Sequence, residues 1–137
     1  MINELTIEYA EARRVVDMLH AEIIKRGKAG VIAVCDAHGE LIAFARMDGA
    51  PLSSITIAMN KAYSAARERK PSFEIGKAAR IPEKSFDIGY FGDPRFTGWG
   101  GGVPVMKDGR VAGAIAVSGL PQLEDIELAE MGARMIS

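Results

Sequence analysis

The run Trp99-Gly100-Gly101-Gly102-Val103-Pro104-Val105, followed by a Lys107-Asp108-Gly109-Arg110 turn and the apolar stretch Val111 to Ser118, constrains this chain more than any other segment. Three consecutive glycines let the backbone come close to a neighbour or a ligand, in torsions that other residues avoid. Asp108-Gly109 is a favoured two-residue hairpin turn. The segment therefore reads as a glycine-led hairpin ending at Ser118-Gly119. The glycines are either turn chemistry before a strand or bare N–H donors for a ligand. They are not a nucleotide motif, because no Lys-Ser/Thr follows them and no helix opens directly after them.

A second hairpin lies upstream. Val31 to Asp36 and Leu41 to Met47 are strand-like apolar runs joined by Ala37-His38-Gly39-Glu40. The remaining segments have helical character. Ala12, Val16, Leu19 and Ile23 share one face of a first helix, with Thr6 as its expected N-cap, Glu8 in its first turn and Gly27 at its end. Ser53 or Ser54 opens a second helix running to about Lys70, and its Ala58, Ala62, Ala65 and Ala66 make a small-residue face able to approach a sheet closely. Ser72 to Arg80 is a short third helix, and Pro121-Gln122 opens a last one. The order helix, hairpin, helices, hairpin, helix predicts one α+β domain over residues 1–137, an antiparallel sheet covered by helices. The long loop from Ser85 to Gly102 is expected to cover something or to supply a further strand.

Bulk properties narrow the function. With 137 residues, 48% hydrophobic content and a formal charge of -1, the chain builds a sizeable core and carries no basic field for nucleic acid. No apolar run approaches the roughly 20 residues of a membrane helix. The acidic Met1-Ile2-Asn3-Glu4 start does not resemble a signal peptide, so a cytoplasmic protein is expected. The single cysteine, Cys35, reads as a buried strand residue. Two histidines and one thiol give no metal-ligand cluster, so no metal is expected.

A few residues carry possible chemistry. His20 lies about 70° from the centre of the first helix's apolar stripe, on the border between core and surface. It is either a border histidine with a solvent partner or, facing a groove, an axial ligand for haem iron. Arg46 ends a strand, where its guanidinium clamps a carboxylate or pairs with Asp48 or Glu40. Lys61 stands on a helix whose other face is alanine; desolvated, it is a candidate general base. Glu124 and Asp125 read first as first-turn acids favouring the helix dipole.

Five segments together resemble the GlcG/HbpS-like family of haem-binding and haem-degrading proteins, whose domain is also fused to some corrinoid adenosyltransferases. They are Val34-Cys35-Asp36-Ala37-His38-Gly39-Glu40-Leu41, Arg46-Met47-Asp48-Gly49-Ala50, Lys61-Ala62-Tyr63-Ser64-Ala65, Gly100-Gly101-Gly102-Val103-Pro104-Val105 and Gly113-Ala114-Ile115-Ala116-Val117-Ser118-Gly119. They cover nearly the whole chain in family order. The resemblance implies a profilin-like, about five-stranded antiparallel sheet, assembly into dimers or higher oligomers, and a ligand groove near the glycine run. It implies haem as a cofactor in some members, with His20 matching the iron ligand. It also implies that other members serve catabolic operons and meet small carboxylates. This chain departs from the family after Ser118-Gly119, where Leu120-Pro121-Gln122-Leu123-Glu124-Asp125 replaces a second glycine and a Gln-Asp pair.

Two readings follow. One is a homo-oligomeric haem or tetrapyrrole binder. The other is a hydratase, tautomerase or hydrolase of a small carboxylate such as a ring-cleavage product. In the second, Arg46 holds the carboxylate, N–H groups of Gly101 and Gly102 stabilise an enolate oxygen, and Lys61 or Glu124 moves a proton. Arg46, Lys61 and the Gly100–Gly102 loop are expected around one pocket, with Trp99 or Phe96 in its wall. The alanine face of the second helix and the resemblance lead to the expectation of at least a dimer.

Overall fold

A computed structural model describes residues 1–136. Helix α1 (Tyr9–Lys25) leads into strands β1 (Val31–Asp36) and β2 (Leu41–Arg46); helices α2 (Ser54–Glu68) and α3 (Ser72–Ala79) follow, then two short 3-10 turns, strands β3 (Gly102–Lys107) and β4 (Arg110–Ser118), and helix α4 (Gln122–Ile136). The strands form one antiparallel sheet in the order β2-β1-β4-β3. The α+β expectation and both hairpins hold. The expected fifth strand is not found among the described residues: the loop after α3 winds into the turns Pro82–Lys84 and Ile88–Phe91 instead.

Local chemistry explains the turns. Asp108 and Gly109 both take positive φ, 53° and 73°, as a primed two-residue turn requires. In the first hairpin the Asp36 carboxylate accepts the N–H groups of His38 and Glu40, and Gly39 takes φ 90°. One expectation fails at the start of α1. Glu8, not Thr6, is the N-cap; the Glu11 side chain accepts the Glu8 N–H at 3.0 Å. The Thr6 hydroxyl instead accepts the Ala37 N–H at 3.1 Å, tying the N-terminal segment to the β1–β2 turn.

The sheet divides the molecule into two layers. On one face α1 and α4 bury Val15, Leu19, Ile23 and Leu128 against Ile32, Val34, Ile115 and Val117. On the other, α2 lays Ala58, Ala62, Ala65 and Ala66 on Val31, Ala33, Cys35, Ala114 and Ala116. The alanine face that suggested a dimer contact is thus consumed inside the chain, 0–2% exposed. Cys35 is buried as expected; its Sγ lies 3.4 Å from the Ala62 carbonyl, and burial pushes its thiol up to about 12.

The long loop is held against α2 and α3. The Tyr63 hydroxyl donates to Asp93 Oδ2 at 2.5 Å, and Arg95 lies over the Tyr63 ring at 3.9 Å. Phe96 stacks on Phe91 with centroids 4.0 Å apart. The Ser64 hydroxyl accepts the Thr97 N–H at 2.9 Å, and the Ser72 hydroxyl donates to the Trp99 carbonyl at 2.7 Å.

Candidate functional site

A cleft of about 370 Å³ opens where the end of β4, the start of α4 and helix α2 meet. Its lining includes Ser54 and Lys61 from α2, Trp99 and Gly100 from the loop, Ser118 at the end of β4, and Gln122 and Asp125 from α4. Lys61 and Asp125, 2% and 3% exposed, form its floor. The Lys61 ammonium donates to the Val117 carbonyl at 3.0 Å and to Asp125 Oδ2 at 3.2 Å. Asp125 Oδ1 accepts the Leu120 N–H at 3.1 Å. Burial is the dominant influence on both groups. It pushes the Asp125 carboxyl up to about 6 against the pull of Lys61, and it lowers the Lys61 ammonium against the pull of Asp125. A dry, paired lysine and carboxyl poised this way can exchange a proton with a bound molecule.

Ser54 and Ser118 are 5% and 3% exposed. Among the described residues, neither hydroxyl has a protein hydrogen-bond partner, and no fully enclosed side-chain oxygen or nitrogen lacks one, so both hydroxyls open onto the cleft. A nearly buried hydroxyl left unpaired costs roughly 1–3 kcal/mol, so these two groups require water or a ligand.

The glycine run serves packing as well as the site. A Cβ on Gly102 would stand 2.2 Å from the Lys61 carbonyl oxygen, and one on Gly101 would stand 2.5 Å from the Val117 carbonyl and 2.9 Å from Lys61 Nζ. Gly101 also sits at φ 124°. Only bare backbone fits between α2 and β4 above the Lys61–Asp125 pair. The Gly100 N–H donates to Gln122 Oε1 and the Gly102 N–H to the Ser72 hydroxyl, both at 2.9 Å. The expected oxyanion donor at Gly102 is therefore already engaged. Gly100 lines the cleft, whereas Gly101 and Gly102 lie behind it.

The other sequence-derived candidates fall in different places. Lys61 and Trp99 line the cleft; Phe96 instead joins the aromatic stack of the loop. Arg46 is exposed at the end of β2, the edge strand, and does not line the cleft. Glu124 points away from it: Arg26 at 3.0 Å and Lys28 hold its carboxylate and keep its proton affinity low. The acid that faces Lys61 in the cleft is its neighbour Asp125. His20 is exposed on α1, outside the cleft lining.

Sequence reasoning missed Asp125, Ser54, Ser118 and Gln122. Helix phase held the signal for two residues. Asp125 precedes the buried Leu128 and Ala129 by three and four positions, and Lys61 follows Ala58 by three, so both belong to buried faces. Lys61 does not stand opposite the alanines, as its sequence context suggests; it extends their buried stripe.

Residues 7–134 match the family described as "Haem degrading protein HbpS-like". The chain belongs to the HbpS-like family. It is 33% identical over 125 residues to an uncharacterised 15.0 kDa protein of the dhaT-dhaS intergenic region of Citrobacter freundii, covering 91% of this chain and 88% of that one. The crystal structure of Klebsiella pneumoniae protein ORFY superposes with a TM-score of 0.92 at 29% identity, over 98% of this chain and 93% of that one. A PduOC–haem complex superposes with a TM-score of 0.86 over 97% and 96% of the two chains; at 20% identity this likeness is one of fold. The HbpS-like frame thus accounts for the helix-covered sheet. Haem does not fit the cleft itself, whose lining offers no histidine, methionine, cysteine or tyrosine for the iron.

Proposed function

We propose that the cleft over Lys61 and Asp125 binds a small organic acid bearing a carbonyl group. The observation that carries this reading is the pair of nearly buried, unpartnered hydroxyls of Ser54 and Ser118 beside the Lys61–Asp125 floor. Two neutral donors suit a carboxylate or carbonyl oxygen, and the self-compensated ion pair disfavours a multiply charged ligand. The lining also carries apolar side chains, Trp99, 56% exposed, and Leu120. They suit a ligand with a polar head and an apolar body. If turnover follows, it is proton transfer beside the carbonyl, as in a tautomerase or hydratase, with Lys61 and Asp125 in place of Lys61 and Glu124.

Calorimetric titration with pyruvate and phenylpyruvate tests the reading. Phenylpyruvate is expected to bind more tightly. Ser54→Ala with Ser118→Ala is expected to weaken it by roughly 1–3 kcal/mol while leaving thermal stability equal or higher, because an unpartnered hydroxyl is removed. Unchanged affinity in the double variant sinks the proposal.

The family description favours haem as a second reading, and here His20 is the residue that fits. It is exposed on α1, with Ile24, 56% exposed, one turn further on. When bound, haem would supply a redox-active iron centre, and the His20 imidazole would hold that iron. A haem titration read by visible absorption is expected to give low-spin bands that His20→Ala abolishes; unchanged spectra in that variant refute the assignment.

A further inference from the structure

We propose that Lys61 forms a reversible covalent imine with the carbonyl carbon of an oxo-acid held in the cleft, with Asp125 carrying the proton; this rests on the carbonyl-acid reading above. Geometry leads to it. Lys61 is the buried lysine of the chain, whereas Lys25, Lys28, Lys70, Lys77, Lys84 and Lys107 are all exposed. Its side chain ends in the cleft floor, held by a backbone carbonyl at 3.0 Å and a carboxylate at 3.2 Å. Behind the floor, the bare backbone of Gly101 leaves room for the ammonium: a Cβ there would press on Nζ itself. A lysine needed only to neutralise Asp125 would not have to face an open cleft with two idle hydroxyls beside it.

The chemistry balances. Lys61 passes a proton to Asp125 and becomes the neutral amine, the nucleophilic form. Burial favours this exchange, because it disfavours the charge on both partners. The nitrogen lone pair attacks the carbonyl carbon, the C–N bond forms, and the oxygen takes the proton from Asp125 to give a carbinolamine. The nitrogen lone pair then expels that hydroxyl, which leaves as water with a proton relayed by Asp125, and the C=N bond remains. The net change is a carbonyl plus an ammonium going to a protonated imine plus water, with no oxidant or reductant. The hydroxyls of Ser54 and Ser118 hold the ligand's carboxylate while this happens.

The test uses the intact protein, pyruvate and sodium cyanoborohydride near neutral pH, followed by peptide mapping by mass spectrometry. The reduced adduct is expected on the Lys61 peptide, as the mass of one carboxyethyl group, ahead of all six exposed lysines. Phenylpyruvate in excess is expected to suppress that labelling. Labelling confined to exposed lysines, or absent, while calorimetry still detects pyruvate, overturns the imine and leaves the binding reading standing. Absence of both labelling and binding overturns the two together. Lys61→Arg, checked for fold by circular dichroism, is expected to lose the adduct; the wild-type map decides the matter even if that variant fails to fold.

Discussion

The two faces of the sheet are built from different residues and do different work. Under α1 and α4 the sheet presents Ile32, Val34, Ile115 and Val117, large branched side chains that interlock with Leu19, Ile23 and Leu128. Under α2 it presents Ala33, Ala114 and Ala116, and α2 answers with alanines. Small residues on both sides let the helix come close. That closeness brings the Lys61 backbone onto Gly102 and lets the Lys61 side chain reach Asp125 of α4 past the end of β4. The branched face supplies ordinary core stability, and the alanine face fixes a distance. The cleft lies at the seam between them.

The sharpest way to break the comparison is at the seam. Asp125→Ala leaves the Lys61 ammonium buried without its partner and is expected to destabilise the fold by about 3–5 kcal/mol in chemical denaturation. The double variant Lys61→Met with Asp125→Leu is expected to recover most of that loss, because both charges go together. If the single variant is as stable as wild type, the pair is not the buried floor described here.

The faces themselves should respond to opposite insults. Ile115→Ala opens a cavity on the branched face and is expected to cost about 2–5 kcal/mol. Ala62→Leu overfills the alanine face and is expected to cost about 1–3 kcal/mol, with loss of ligand binding in the cleft as α2 is pushed outward. It is not expected to alter the oligomer, since that face is buried within the chain. A change of mass by light scattering in this variant alone would overturn the assignment of the face.

A smaller effect concerns pH. The carboxyl of Asp125 rises from 3.8 to about 6 on folding, so the folded chain holds this proton more tightly than the unfolded one. Its stabilising contribution is present below 3.8 and is lost as the pH rises through about 6. The stability of wild type relative to Asp125→Asn is therefore expected to fall across that window. A flat difference would contradict the buried state of the carboxyl. The smallest effect is expected at Arg46, exposed on the edge strand. Arg46→Lys removes the bidentate fork but should leave pyruvate and phenylpyruvate affinity unchanged in calorimetry, whereas a tenfold loss would return Arg46 to the site.

Much of this was legible in the chain. Apolar strand-like runs, helical periodicity, Asp108-Gly109 and Ala37-His38-Gly39-Glu40 pointed to the two hairpins and four helices, because these signals are local and act through backbone torsions. The five motifs placed the family. The fifth strand was not realised, because the 80–101 segment satisfies its backbone through 3-10 turns and the hydroxyls of Ser64 and Ser72 rather than a strand partner. The candidate cleft was half legible: Lys61, Trp99 and Gly100 stand out by residue type and do line it, whereas Glu124 and Arg46 stand out equally and lie outside its lining, because which acid and which cation reach the cleft depends on packing.

The sequence by itself determined which segments become strands and helices and where the turns fall, since each of these follows from residues near one another in the chain; that Gly101 and Gly102 leave no room for a Cβ follows from Lys61 and Val117, distant residues brought there by packing. The tertiary structure alone decided which acid faces Lys61. Asp125 and Lys61 are separated by 64 positions and meet only because α2 and α4 close on the end of β4 from opposite faces of the sheet. Burial at that meeting point, a property of the packed molecule and of no local segment, is what shifts their proton affinities and leaves the Ser54 and Ser118 hydroxyls open to a ligand.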